Sequence, residues 1–224
     1  MPECESERED NVRKVLEPEL NMISDPDLRK KAVKAWTMAC NMGGYENLED
    51  CPLERFEDLP TTSNIDHQKE TARLAAAIVK VIKELGNPAN INEDYVITAA
   101  LCHDLGKPVE WRANASGIFY NGVYYGKNPE MPSIEDTSYQ VVRHPIWGFH
   151  IALTVGMPLR VAHAIGMHSM EGTHIQKTPE ARIVSTADHL WWQLIGDPKV
   201  KNKARWRENR AVFVEKPGNV LKNE

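Results

Sequence analysis

The sequence lacks three features, and each absence narrows the class of protein. It has no apolar run close to the roughly 20 residues of a membrane-spanning helix. Its four cysteines form no Cys-x-x-Cys pair, which argues against a zinc knuckle and favours free thiols in a reducing compartment. Positive charge is in deficit, with 27 basic against 32 acidic residues. We therefore expect neither a membrane anchor nor a general nucleic-acid-binding surface.

Length and local composition predict how the chain is organised. The 224 residues suffice for one large domain with its own core. We predict a single domain over 1–224, with a helical extension at 1–59, a core at 60–196 and a polar tail at 197–224. The acidic first residues resemble neither a signal peptide nor a transit peptide, so we expect a cytoplasmic protein. The extension and the tail leave a homodimer open.

Helix signals dominate the sequence and predict an all-α fold. Asp25 followed by Pro26 is a favourable helix start. Apolar patterning and further capping residues predict five or six core helices, over 26–43, 64–85, 93–103, 145–155, 158–167 and 179–195. Residues 117–126 contain two β-prone runs around Asn121-Gly122, a dipeptide typical of hairpin turns. We therefore expect a helical bundle with a small inserted β-hairpin.

A His-Asp dipeptide ends the most apolar predicted helix. His103 and Asp104 would point about 100° apart on a helix, so they reach one metal only near a helix end, where the chain can adjust. His67 lies in the first turn of an earlier helix. Asp188 lies in an apolar-to-small helical run, where a carboxylate is costly unless a cation or metal pairs with it. These four residues are candidate metal ligands.

Two further histidines lie at predicted helix ends. His144 precedes Pro145 at a helix start, and His168 follows the helix predicted at 158–167. With the four residues above they complete a set of four imidazoles and two carboxylates. Such a mixed set suits iron, manganese, cobalt or zinc better than calcium or magnesium. His163 is the main rival ligand, although it would point about 140° away from His168 on a helix.

The order of these residues resembles the HD-domain superfamily of metal-dependent phosphohydrolases. The strings His-Asp-Leu-Gly-Lys, His-Pro-Ile-Trp-Gly and Ser-Thr-Ala-Asp match its blocks in order, over roughly residues 60–196. The resemblance implies an HD-domain helical bundle with two divalent cations, iron or manganese being favoured and cobalt, nickel or zinc remaining open. One cation would be held by His67, His103, Asp104 and Asp188. Asp104 would bridge to a second cation, held by His144 and His168.

The resemblance also implies a reaction and roles for particular residues. The reaction would be hydrolysis of a small phosphate ester or nucleotide, which is an anionic substrate. Asp104 would bridge the cations, and Asp188 would accept a proton from water. Lys107, three residues after Asp104, would offset charge on the transferring phosphoryl group. Residues predicted to contact substrate are Lys107, Trp111, Arg112 and His174.

Other functions compete with hydrolysis. The inositol oxygenase and the phosphonate-cleaving oxygenases are HD proteins that activate O₂ at a di-iron site with four histidines and two aspartates, and this chain has that complement. The stretch at 58–63 has no obvious counterparts of the extra acidic and tyrosine residues that the phosphonate enzymes carry just before their first ligand. A cyclic-dinucleotide phosphodiesterase would have a second histidine beside His168 and a Gly-Tyr-Pro string, which are missing. A non-enzymatic module would have a broken ligand position, and none is broken.

Overall fold

The computed structural model describes residues 2–51, 53, 63–86, 90–114, 117–120, 123–125 and 142–195. Its helices are α1 Pro2–Leu16, α2 Pro26–Gly43, α3 Asn64–Glu84, α4 Glu93–Leu101, α5 Lys107–Glu110, α6 His144–Thr154, α7 Leu159–Gly166 and α8 Pro179–Leu190. Short 3₁₀ turns lie at Glu19–Met22, Leu48–Asp50 and Met170–Gly172, and α8 continues into a π-helical turn at Trp191–Ile195. The expected all-α class is confirmed. The predicted tail at 197–224 lies outside the described residues.

Predicted capping residues begin and end several helices. The carboxylate of Asp25 accepts hydrogen bonds from the backbone N–H groups of Asp27 and Leu28 at the start of α2. The side chain of Asn92 does the same for Tyr95 N–H at the start of α4, at 3.1 Å. Helix α2 ends at Gly44, whose φ of 78° lies in the left-handed region that favours glycine. These signals are local, so the sequence alone locates these helix ends.

The N-terminal segment, for which the sequence predicts a helical extension, forms α1 and packs into the main core. Val12 and Leu16 of α1 are buried and belong to the same hydrophobic cluster as the other helices. The following 3₁₀ turn places Glu19, which is fully buried, against Arg73 and Lys69 of α3. The extension is thus tied to the helix that carries His67. The proposed division of the chain into extension, core and tail stays a prediction.

Three short strands follow α5. They are β1 Trp111–Asn114, β2 Gly117–Tyr120 and β3 Val123–Tyr125, and they form an antiparallel sheet in the order β1-β2-β3. Trp111 pairs with Tyr120, and Phe119 pairs with Tyr124. Strands β2 and β3 lie in the segment for which the sequence predicts a hairpin. Strand β1 is an additional strand with no counterpart in that prediction.

Helix α4 ends two residues earlier than predicted, which changes the setting of the His-Asp pair. The indole N–H of Trp36 donates to the carbonyl of Leu101 at 3.1 Å, so this terminal carbonyl has a partner from another helix. The chain then tightens, with Leu105 N–H bonded to the Cys102 carbonyl at 3.0 Å. His103 therefore lies in a turn, where neighbouring side chains can converge in a way that a regular helix does not allow.

None of the helices in the described part of the chain combines the length and apolarity needed to cross a membrane. The cytoplasmic location and the homodimer stay predictions.

Candidate metal centre

The six side chains predicted as ligands come together in one buried cluster. They are contributed by α3, by the turn after α4, by the start of α6, by the second residue after α7 and by α8. None is more than 8% exposed; the members are His67, His103, Asp104, His144, His168 and Asp188. Histidines and aspartates seldom occupy such buried positions unless charged or metal-bound partners are near.

One half of the cluster joins α3, the turn after α4 and α8. The Nε2 atoms of His67 and His103 lie 3.0 Å apart. Oδ1 of Asp188 lies 3.2 Å from Nε2 of His67 and 3.7 Å from Nε2 of His103. These three residues form a group whose ligand atoms all lie within 4.8 Å of one another. Two nitrogens and one carboxylate oxygen at this spacing can hold a metal ion.

The two oxygens of Asp104 face two different pairs of histidines. Oδ2 lies 3.8 Å from Nε2 of His67 and 3.7 Å from Nε2 of His103. Oδ1 lies 3.0 Å from Nε2 of His144 and 3.5 Å from Nε2 of His168. A carboxylate in this position can supply one oxygen to each half of the cluster. It therefore has the geometry of a bridging ligand.

Hydrogen bonds outside the cluster fix which nitrogen of each ring points inward. Nδ1 of His103 donates to the carbonyl of Ala100, and Nδ1 of His168 donates to that of Ile165, both at 2.7 Å. Nδ1 of His144 lies 2.6 Å from a carboxylate oxygen of Glu110, which can only accept. In the neutral rings, Nε2 then carries a lone pair that is directed into the cluster. Metal-binding histidines in proteins are oriented in this way.

His67 is held by different contacts. Its Nδ1 lies 3.4 Å from the hydroxyl of Thr71, one helical turn further along α3. The indole of Trp191 packs edge-to-face against the ring, with centroids 4.2 Å apart. Burial lowers the pKa of His67 to about 4, even though Asp188 opposes the change. The ring is thus neutral and available as a ligand at neutral pH.

The electrostatics of the cluster favour positive charge between the side chains. Burial alone would raise the pKa of Asp104, but Lys107, His103 and His144 lower it well below its usual value. Burial likewise opposes the change at His144, yet the carboxylates of Asp104 and Glu110 raise its pKa to about 9. The carboxylates are therefore ionised and draw protons onto nearby imidazoles. A bound metal cation would offset the same negative charge without protonating the imidazoles.

The family model of the HD domain matches residues 64–191, more than half of the chain. The chain belongs to the HD domain family. No curated protein and no solved structure matches it. Membership places this HD protein in a superfamily of metal-dependent hydrolases, and its buried cluster fits the metal-binding motif of that family. The donor set also passes a chemical test, because inward lone pairs and ionised carboxylates suit divalent metal ions.

Lys107 is the first residue of α5 and lies beside Asp104. Its Nζ is 3.0 Å from Oδ2 of Asp104, three residues earlier, and also donates to the carbonyl of Leu53. The side chain is buried, and Nζ lies 6.0 Å from the ring centroid of Trp192. Lys107 therefore helps to keep Asp104 ionised. Its contact with a substrate stays a prediction.

The other predicted substrate contacts have different settings. Trp111 is only 3% exposed, and its backbone carbonyl accepts a hydrogen bond from the hydroxyl of Tyr45. Arg112 lies in β1, and its side chain is outside the described part of the structure. His174 is exposed in the loop that follows the Met170–Gly172 turn. The roles of these residues in substrate binding stay predictions.

His163, the rival ligand, lies on α7 apart from the described metal-capable groups. It is partly exposed, and neither group of His, Cys, Asp and Glu found among the described residues includes it.

Three residues that the sequence analysis did not single out support the ligands. Oε1 of Gln68 accepts the backbone N–H of Asp104 at 3.3 Å. The hydroxyl of Ser185 donates to the carbonyl of His168 at 2.7 Å. Glu110 contacts the ring of His144. All three are buried polar residues, and in sequence they look like the polar residues of an exposed surface.

Proposed function

We propose that this HD protein hydrolyses a phosphate ester of a small anionic molecule, such as a nucleotide, with two divalent cations bound at the cluster. The observation that carries the proposal is the position of Asp104, whose two oxygens face separate histidine pairs at 3.0–3.8 Å. A bridging carboxylate of this kind is expected at a dinuclear centre. Two-metal centres are common among enzymes that cleave phosphate esters.

The first cation would be held by His67, His103, Asp104 and Asp188, and the second by Asp104, His144 and His168. Cations there would lower the pKa of a bound water and offset negative charge on phosphoryl oxygens. We assign to Asp188, an ionised carboxylate that is 8% exposed, the role of accepting a proton from the attacking water. Lys107 keeps Asp104 ionised and places a positive charge where an anionic substrate would approach.

The identity of the cations follows from donor chemistry. Four imidazole nitrogens and two carboxylates form a nitrogen-rich set, which first-row transition metals bind more tightly than magnesium or calcium does. We propose iron or manganese, with cobalt, nickel and zinc as the alternatives that metal analysis would distinguish.

The test is phosphate release by metal-loaded protein. The protein is stripped of metal, loaded with Mn²⁺ or with Fe²⁺ under anaerobic conditions, and assayed against nucleotides and phosphomonoesters. We expect turnover that Asp104→Asn abolishes and that Lys80→Ala, on the exposed face of α3, leaves unchanged. A protein that binds two cations and releases phosphate from no member of the panel would contradict the proposal.

The ligand complement also supports a second candidate, a di-iron oxygenase. A site with four histidines and two carboxylates suits iron, and the chemistry then depends on which metal is loaded. The oxygenase would show a mixed-valence di-iron signal in electron paramagnetic resonance and substrate-dependent uptake of O₂. Phosphate release in the presence of Mn²⁺ without O₂ would decide for the hydrolase.

A further inference from the structure

Glu110 makes an unusual pair of contacts with one ligand histidine. This carboxylate is 2% exposed and lies at the end of α5, next to the start of α6. One of its oxygens, Oε2, accepts the Nδ1–H of His144 at 2.6 Å and the backbone N–H of the same residue at 3.2 Å. The contact fixes both the position of the backbone and the rotation of the ring. Few conformations of His144 satisfy both bonds.

The partner of His144 differs chemically from the partners of the other three imidazoles. Among the described contacts, Nδ1 of His103 and of His168 meets a neutral backbone carbonyl, and Nδ1 of His67 meets a hydroxyl. Only His144 has an anionic partner there. A carboxylate on Nδ1 increases the basicity of the opposite nitrogen and strengthens its bond to a metal.

The placement of Glu110 also corrects an imbalance of charge between the two halves of the cluster. The half near His67 contains Asp188 in addition to the shared Asp104. Among the described residues, the half formed by His144 and His168 has the shared Asp104 as its one carboxylate ligand candidate. A second divalent cation would therefore meet less negative charge among its ligands than the first. The buried Glu110 supplies an additional negative charge directly behind that half.

We propose that Glu110 is a positioning residue that sets the affinity of the second cation, held by Asp104, His144 and His168. The inference rests on the proposed dinuclear function. It states that the affinity for the second cation depends on this side chain and that the affinity for the first does not. Removing the negative charge of Glu110 lowers the affinity for the second cation. It leaves the affinity for the first cation, held by His67, His103, Asp104 and Asp188, unchanged.

The test compares variants that separate charge from shape. Glu110→Gln keeps an oxygen that can accept both N–H groups of His144, so only the charge is lost. We expect the affinity for the second Mn²⁺ to fall about 10- to 100-fold, the range typical when a partner of a metal ligand is removed. Glu110→Ala also loses both hydrogen bonds, so its affinity for the second Mn²⁺ should fall further. Glu110→Asp keeps the charge, so its affinity for the second Mn²⁺ should be closer to the wild-type value than that of Glu110→Gln.

The readouts are metal stoichiometry by elemental analysis and the two Mn²⁺ affinities by calorimetric titration, together with the melting temperature. The matched control is Glu180→Gln, which removes the charge of another fully buried glutamate. Glu180 binds Arg160 and the backbone N–H of Asn92, away from the described contacts of the cluster. We expect this control to lose thermal stability and to keep both cations.

The outcomes are distinct. Wild-type affinities for both cations in Glu110→Gln would overturn the inference while leaving the dinuclear site intact. An equal loss of both cations, accompanied by the same fall in melting temperature as in Glu180→Gln, would reduce Glu110 to a structural residue and also overturn it. A wild-type protein that binds only one cation would overturn the proposed dinuclear centre, and this inference with it.

Discussion

Replacing Gly106 by alanine tests how the backbone locates the second half of the metal centre. An added Cβ at Gly106 would lie 2.1 Å from the carbonyl oxygen of His144 and 2.7 Å from Cβ of Trp147. The backbone of Gly106, with φ −84° and ψ −7°, is in a region that alanine adopts without strain. The substitution therefore perturbs the close contact between the start of α5 and the start of α6.

The size of the effect follows from that overlap. Ordinary contacts of a Cβ begin at 3.4 Å, so the start of α6 must move by roughly 1 Å. Overpacking of this kind costs about 1–3 kcal/mol, and the reduced freedom of the unfolded chain returns about 0.4–1 kcal/mol. For a chain of this length each kcal/mol lowers the melting temperature by about 2–4 °C. We expect Gly106→Ala to melt several degrees below the wild type.

The same displacement should reach the metal centre, because His144 is the first residue of α6. Its Nε2 lies 3.0 Å from Asp104, and a shift of about 1 Å in a reacting site can lower activity about 100-fold. Stability, cation stoichiometry and phosphate release are measured together. Leu16→Ala, a core substitution in α1 that costs about 2–5 kcal/mol, is the control and should retain both cations. Full occupancy and activity in Gly106→Ala would refute the reasoning.

Three other perturbations give independent checks. Lys107→Met removes one of the positive partners of the buried Asp104, so the metal-free protein should lose about 1–3 kcal/mol in urea unfolding, and Mn²⁺ should restore part of the loss. Arg73→Ala removes a partner of the buried Glu19 and should cost about 1–3 kcal/mol in the same assay, with cation affinities unchanged. Burial raises the pKa of Cys40 to about 12, so at pH 8 about one thiol in 10⁴ is ionised. Peptide mapping should find iodoacetamide on Cys40 only after unfolding; labelling of the native protein would contradict the burial.

The parts of the fold that local signals determine could be predicted from the sequence. The caps at Asp25 and Asn92 use side chains that bond to N–H groups two or three residues ahead, so the sequence contains both partners. The end of α4 could not be predicted in this way. It depends on Trp36, which lies 65 residues before the Leu101 carbonyl that it binds. The contact exists only after α2 and α4 have packed.

The candidate site likewise combines features that the sequence predicts with features that it does not. The order of the ligand residues suggested the family, and the family implied that His67 and Asp188 would meet although 121 positions separate them. The supporting contacts were not predictable. Glu110 lies 34 residues before His144, and the two residues meet only in the folded chain. A glutamate at the end of a short helix is indistinguishable in sequence from an ordinary surface residue.

The two halves of the metal centre are held by different kinds of contact. The half with His67 and Asp188 rests on α3, α4 and α8, whose buried faces contain small residues such as Ala72 and Ala187. The half with His144 and His168 begins at helix ends, and it depends on the close approach at Gly106 and on one buried carboxylate. Helices of both halves contribute to the core, so the difference between the halves lies in these local contacts. We expect one substitution at the contact between α5 and α6 to weaken the second half while the bundle stays folded. Such a variant would then lose the proposed second cation before the first.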